Sequence, residues 1–139
     1  MNCDELVAGR DTDALIAEQV MGRIVYRGPV PQEDLQILED GGSWIGVPGL
    51  GLQPTTETCP RYSTDIAAAF QVAEAMSTRF GMQLSLDMWG GDPWWAEFAD
   101  RQYIYGAQST ATTAPLAICR AALKALAYKE KLDQKGVQE

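Results

Sequence analysis

The sequence contains no histidine, and its three cysteines, Cys3, Cys59 and Cys119, stand too far apart to form a CxxC pair. These absences argue against zinc and haem ligand sets and remove the side chain most often used as a general base near neutral pH. The expectation is no metal and no cofactor. Basic residues are outnumbered 19 to 11 by acidic ones, for a net charge of −8. That field opposes non-specific binding to duplex nucleic acid, which needs a basic stripe to displace counterions. Long apolar runs are missing too. Stretches such as Ile66-Ala67-Ala68-Ala69-Phe70 fall far short of the roughly 20 residues that cross a bilayer. The opening Met1-Asn2-Cys3-Asp4-Glu5 has neither a basic nor an apolar region, so no signal peptide is expected.

The catalytic fingerprints are equally sparse. There is no GxSxG, no Walker A and no GxGxxG leading into a helix. Gly46-Val47-Pro48-Gly49-Leu50-Gly51 is glycine-rich, but its proline and its lack of lysine argue against a phosphate loop. Glu39-Asp40 is the kind of acidic pair that stays solvated. No catalytic residue is assigned.

What is present is an ordinary globular balance, 46% hydrophobic and 22% charged residues over 139 positions, which suits one domain. A first helix is expected to open at Asp11 or Thr12 and run to about Met21, with Leu15, Ile16 and Val20 on one face. Arg23 to Arg27 reads as a short strand. Residues 28–60, rich in glycine and proline, form an excursion whose Trp44, Ile45, Val47 and Leu50 still need covering. A second helix follows, capped by Ser63 or Thr64, with Ile66, Phe70, Ala73, Met76 and Phe80 as its apolar stripe. Met82 to Met88 alternates strictly, as a strand with one buried face does.

After the turn at Gly90-Gly91-Asp92-Pro93, Trp94 to Ala99 is a partner strand with Trp94, Ala96 and Phe98 on one face and Trp95 and Glu97 on the other. Tyr103-Ile104-Tyr105 continues the sheet or brings a third strand into it. Small polar residues then lead to a last helix from Ala114 or Pro115 to about Lys131, with the stripe Leu116, Cys119, Ala122, Leu123 and Leu126. The tail from Lys129 is charged and is expected to fray. This order of elements predicts a mixed α/β fold: a central, largely antiparallel sheet covered by three main helices, giving a three-layer α-β-α sandwich if both faces are covered.

Three segments carry a family resemblance. Ala8 to Gly22 (AGRDTDALIAEQVMG), Tyr62 to Ala69 (YSTDIAAA) and Ala111 to Leu123 (ATTAPLAICRAAL) resemble, in that order, the helical segments of the phage ABA sandwich family, small proteins of tailed phages and prophages. The resemblance implies an α-β-α sandwich and a setting in the cytoplasm of an infected bacterial host. It brings no catalytic residues, because the family is broadly uncharacterised. In size and context such proteins are similar to phage sponges, which bind a cyclic nucleotide signal and withhold it from the host effector.

The residues offer two features that fit a ligand of that kind. A helix start presents unpaired N–H groups and partial positive charge, which suits a phosphate. Two starts here carry hydroxyls, Ser63 and Thr64 after Arg61 and Tyr62, and Thr112 and Thr113. Capping alone would explain them, and Asp65 opposes a phosphate directly beside it. The second feature is aromatic: bases stack on rings for about 1–3 kcal/mol each, and Trp44, Trp95 and Tyr105, with Arg101 close by, are the candidates. Core packing or a subunit interface would explain the same rings.

The expected function is therefore a non-catalytic sponge for a cyclic oligonucleotide or cyclic ADP-ribose type of signal, acting as a homo-oligomer whose interface encloses the ligand. The alternative is an interaction module whose acidic surface occupies a host partner; a hydrolase of such nucleotides is a third reading. Duplex nucleic acid and membrane are not expected partners.

Overall fold

The computed structural model describes residues 2–23, 25–26, 44–46, 54–58, 60–88, 93–100 and 106–136. A 3-10 turn at Cys3–Glu5 precedes helix α1 (Arg10–Leu15), which continues as a π-helical segment at Ile16–Val20. The strand expected at Arg23 to Arg27 is present as β1 (Val25–Tyr26), and the excursion contributes β2 (Trp44–Gly46) and β3 (Pro54–Thr58), the three paired antiparallel in that order. Then come α2 (Ile66–Phe80), β4 (Met82–Met88), β5 (Trp94–Asp100), β6 (Gly106–Ala111) and α3 (Ala114–Gly136). Strands β4, β5 and β6 form a second antiparallel sheet in chain order.

The fold is a mixed α/β sandwich of three main helices on an antiparallel sheet. Its centre is α3, which contacts β5 and β6 on one side and α2 on another. Ala117, Ile118, Cys119, Ala121, Ala122, Leu123 and Ala125 are all buried, so the helix is covered nearly all round in this stretch, as an apolar helix must be. The sheet face beneath carries Phe98, Ala96, Met82, Ala107 and Ala111. The opposite face carries exposed Gln83, Ser85, Asp87, Gln108 and Thr110. The strict alternation of β4 and β5 read from the sequence is present in their register, with Leu84 opposite Phe98 and Leu86 opposite Ala96.

Four local expectations are corrected. Helix α2 is capped by Asp65, whose carboxylate accepts from the Ala67 N–H at 3.0 Å, instead of by Ser63 or Thr64. Its buried face is the small one, Ala68, Ala69, Val72, Ala75 and Met76; Ile66 and Phe70, taken for the core stripe, are 42% and 48% exposed. Alanines on α2 and α3 let the two backbones approach closely, which favours the small face over the bulky one. The stretch before α3 is the strand β6 and not a loop, with Ala107, Ser109 and Ala111 buried beneath α3. Helix α3 runs on to Gly136, because the Lys, Glu, Gln and Leu that fill its last turns are good helix formers.

The helix starts are placed by the register. Met88 pairs with Trp94 and Trp94 with Ala111, so β4 ends, β5 begins and β6 ends together, and α3 starts three residues beyond Ala111. Gly81, left-handed at φ 67°, is the lone residue between α2 and β4, and glycine adopts that turn without a Cβ penalty. Helix α2 therefore runs back along β4; at about 22 Å and about 23 Å the two have matched lengths, and α2 starts at the end where α3 starts. Helix α1 lies parallel to α2: its first turn is bonded to Ser63, just before α2, while Arg79 near the end of α2 donates to the Val20 carbonyl. All three helices begin at one end of the sandwich.

Candidate functional site

At that shared end, the chain from Pro60 to Asp65 forms a tight turn, with the Thr64 and Asp65 amides donating to the Arg61 carbonyl at 3.2 and 2.8 Å. Tyr62 and Ser63 are buried, and Arg61 and Thr64 are exposed. Ser63 donates to Asp13 Oδ1 twice, from its amide and from its hydroxyl, both at 2.7 Å, and its oxygen accepts from the Gly9 N–H at 3.0 Å. A buried serine so engaged ties α1 to α2. Burial pushes the Asp13 carboxyl above the usual carboxylate range, opposed by the two Ser63 hydrogen bonds and by the charge of Arg61. Thr12 in the same turn donates to the Val7 carbonyl at 2.6 Å.

The start of α3 is different in kind. Thr112 and Thr113 are both exposed, the Thr113 carbonyl accepts the first helical bond from Ala117 at 3.1 Å, and the first turn holds no acidic residue. By contrast, Asp65 caps α2 and Asp11 and Asp13 sit in the first turn of α1, so carboxylates already offset the dipole there. The α3 start is held rigidly from behind. Arg120 donates to the Leu6 and Thr110 carbonyls at 2.7 and 2.8 Å, and Lys124 bridges Asp4 and the Gln108 carbonyl.

Trp95 lies on the outer sheet face near the same end, half-buried, opposite Thr110 in the β6 register and donating from its indole to Gln108 at 3.1 Å. Seven of the ten residues singled out for ligand contact thus have described side chains. Arg61, Thr64, Thr112 and Thr113 face solvent at one end of the molecule, Trp95 lies toward that end on the outer sheet face, opposite the helices, and Tyr62 and Ser63 point into the core. The remaining three are not placed. Trp44 lies in β2, paired with Tyr26 and Thr58, with its side chain outside the described residues; Arg101 and Tyr105 lie outside them altogether.

Among the described residues no group of three or more His, Cys, Asp or Glu could hold a metal ion, and no helix is long and apolar enough to cross a membrane. Cys3 and Cys119 are buried and free, and burial raises both thiols above their ordinary value. What the sequence did not signal is a groove of about 730 Å³ between α2 and β4, lined by Ala67, Phe70, Gln71, Glu74, Ser77 and Leu84 among others. The sequence cue for it is the bulky α2 stripe of Ile66 and Phe70, whose helical spacing reads as a core face.

Comparison with known proteins places this architecture. Residues 14–123 match the model of the phage ABA sandwich domain. The chain belongs to that family. The match runs from the end of α1 into the first half of α3, and takes in the Tyr62–Ala69 and Ala111–Leu123 segments whole and the first segment from Ala14 onward. A 2.0 Å crystal structure of a phage protein from Bacillus cereus ATCC 14579 is similar over 87% of this chain and 94% of that one, with a TM-score of 0.56 and 22% identity; at that identity the likeness speaks for a shared fold. No curated protein matches the chain.

Proposed function

We propose that this phage ABA sandwich protein is a non-catalytic binder of a small cyclic nucleotide signal, withholding it from a host effector in the cytoplasm of the infected cell. The observation that carries the reading is the convergence of three helix starts on one end of the sandwich, where Arg61, Thr64, Thr112 and Thr113 are exposed. Helix N-termini attract phosphate through unpaired N–H groups and the dipole. The α3 start is the stronger of them, since no carboxylate lies in its first turn. Arg61 and Thr64 supply donors across the same end, and Trp95 offers a ring for a base. Tyr62 and Ser63 contribute by holding that end in shape.

The test is retention. The purified protein is incubated with cyclic di- and trinucleotides and cyclic ADP-ribose isomers, washed, heat-denatured, and the released material identified by mass spectrometry. Release of an intact panel member is the expected result, and Thr112→Ala with Thr113→Val should lower its affinity at least about tenfold. An altered product would contradict non-catalytic binding. Retention of no member would favour the second reading, an interaction module; that reading draws on the net charge of −8 and on Asp87 and Glu97 on the outer sheet face.

A further inference from the structure

We propose that the protein forms a two-fold dimer by pairing strand β4 with β4 of a second copy, antiparallel and centred on Ser85. This interface is independent of the nucleotide reading. Among the described residues β4 pairs with β5 alone, and none of them forms a strand on its other edge. Edge strands that resist pairing carry charged side chains, lysine above all, proline or a bulge. Strand β4 has no lysine, proline or bulge and a single charged residue, Asp87: its register with β5 is unbroken over seven residues, and its sequence is Met-Gln-Leu-Ser-Leu-Asp-Met.

That sequence is nearly palindromic about Ser85. A two-fold axis through Ser85 sets Leu84 against Leu86, Met82 against Met88 and Gln83 against Asp87 of the second copy. Matching a patch to itself is the requirement of an isologous interface, and each cross-strand pair formed here is a favourable one. The charge pattern fits as well. Asp87, the one acidic residue of the strand, is set against the Gln83 amide of the second copy, and the two Asp87 side chains stand about 13 Å apart.

The groove supplies the second layer of contact. Phe70 lines it and is 48% exposed, Ile66 is 42% exposed, and Met88 on the strand is 44% exposed. Continuing the sheet past β4 brings the second copy's Leu84 and Leu86 beneath the overhanging Phe70, as the first copy's strand lies beneath α2. This gives the outward bulky stripe of α2 a role that packing within one copy does not. A helix laid across a sheet edge extended in this way is the ordinary means of burying both apolar faces.

The dimer is tested on the whole chain by multi-angle light scattering and by crosslinking, in a Cys59→Ser background that leaves the buried Cys3 and Cys119. The expected mass is that of two 15.2 kDa chains. Ser85→Cys should crosslink between copies with a short bis-thiol reagent, since it faces its own counterpart across the axis with Cβ atoms about 4.5–5.5 Å apart. Gln83→Cys should not, being opposite Asp87. Phe70→Glu, at a solvent-facing position, should raise the dissociation constant about 100-fold without unfolding the monomer. A monomer at high micromolar concentration would overturn the proposal, with the edge then left to another segment of this chain or to a different protein. So would a dimer in which Ser85→Cys fails to crosslink or Phe70→Glu leaves the affinity unchanged.

Discussion

Replacing Asp13 by alanine should destabilise the protein by about 3 kcal/mol, because one buried oxygen accepts from both the Ser63 amide and the Ser63 hydroxyl at 2.7 Å. The hydroxyl has an alternative in the Gly9 carbonyl, already 3.4 Å away, whereas the amide is fixed by its turn. A buried donor left unpaired costs about 1–3 kcal/mol, and exchanging a charge-assisted hydroxyl bond for a weaker one adds about 1 kcal/mol. For a chain of this size that loss lowers the melting temperature by about 10 °C. Asp13→Asn keeps an acceptor at the same position and removes the burial cost of the charge, so its loss should stay near 1 kcal/mol or below. Urea denaturation of the three proteins at neutral pH measures both values. If Asp13→Ala lies within about 1 kcal/mol of the parent, Ser63 does not couple α1 to α2 as described.

Further expectations follow from the same geometry. The raised Asp13 carboxyl binds protons more readily in the folded state than in the unfolded one; its contribution to stability is fullest at low pH and falls as pH rises from the ordinary value of 3.8 through the folded one. Asp4 behaves oppositely: its bonds from Lys124 and Ser109 lower its pKa, so its contribution holds above 3.8 and is lost as pH falls below that. Urea titrations across pH 3–7 should therefore show a shallower acid loss for Asp4→Asn, and for Asp13→Asn a stability relative to the parent that grows with pH. Gly22→Ala should cost about 1–2 kcal/mol in thermal unfolding: Gly22 sits at φ 69°, and a Cβ there would lie 2.7 Å from the Arg79 guanidinium that reaches the Val20 carbonyl. Loss of the α2 cap in Asp65→Ala should cost about 1 kcal/mol; an unchanged melting temperature would return the capping role to Ser63 or Thr64.

The elements read best from sequence were those with a regular pattern of large residues. Strand β4 alternates over Met82 to Met88 and was found at those bounds, and Cys119 and Phe98 are buried as their positions implied. Small residues hid the rest. Gly106 to Ala111 has little β propensity, yet Ala107, Ser109 and Ala111 are what allows α3 to settle on β6. The alanine face of α2 carries less apolar area than Ile66 and Phe70, but close approach to the alanines of α3 decides which face turns inward. Ser63 was read as a cap on local grounds; the partner that draws it inward is Asp13, 50 residues earlier in the chain, and no local pattern announces that pairing. Thr112 and Thr113, in contrast, are exposed at a helix start, where the sequence placed them.

The nucleotide-binding account is tested most directly by mass spectrometry of what the purified protein retains from a panel of cyclic oligonucleotides and cyclic ADP-ribose isomers. The account predicts that at least one panel member is released intact on denaturation, and that less of it is released from the Thr112→Ala, Thr113→Val variant. Release of nothing from the parent protein, or equal release from the variant, would contradict it.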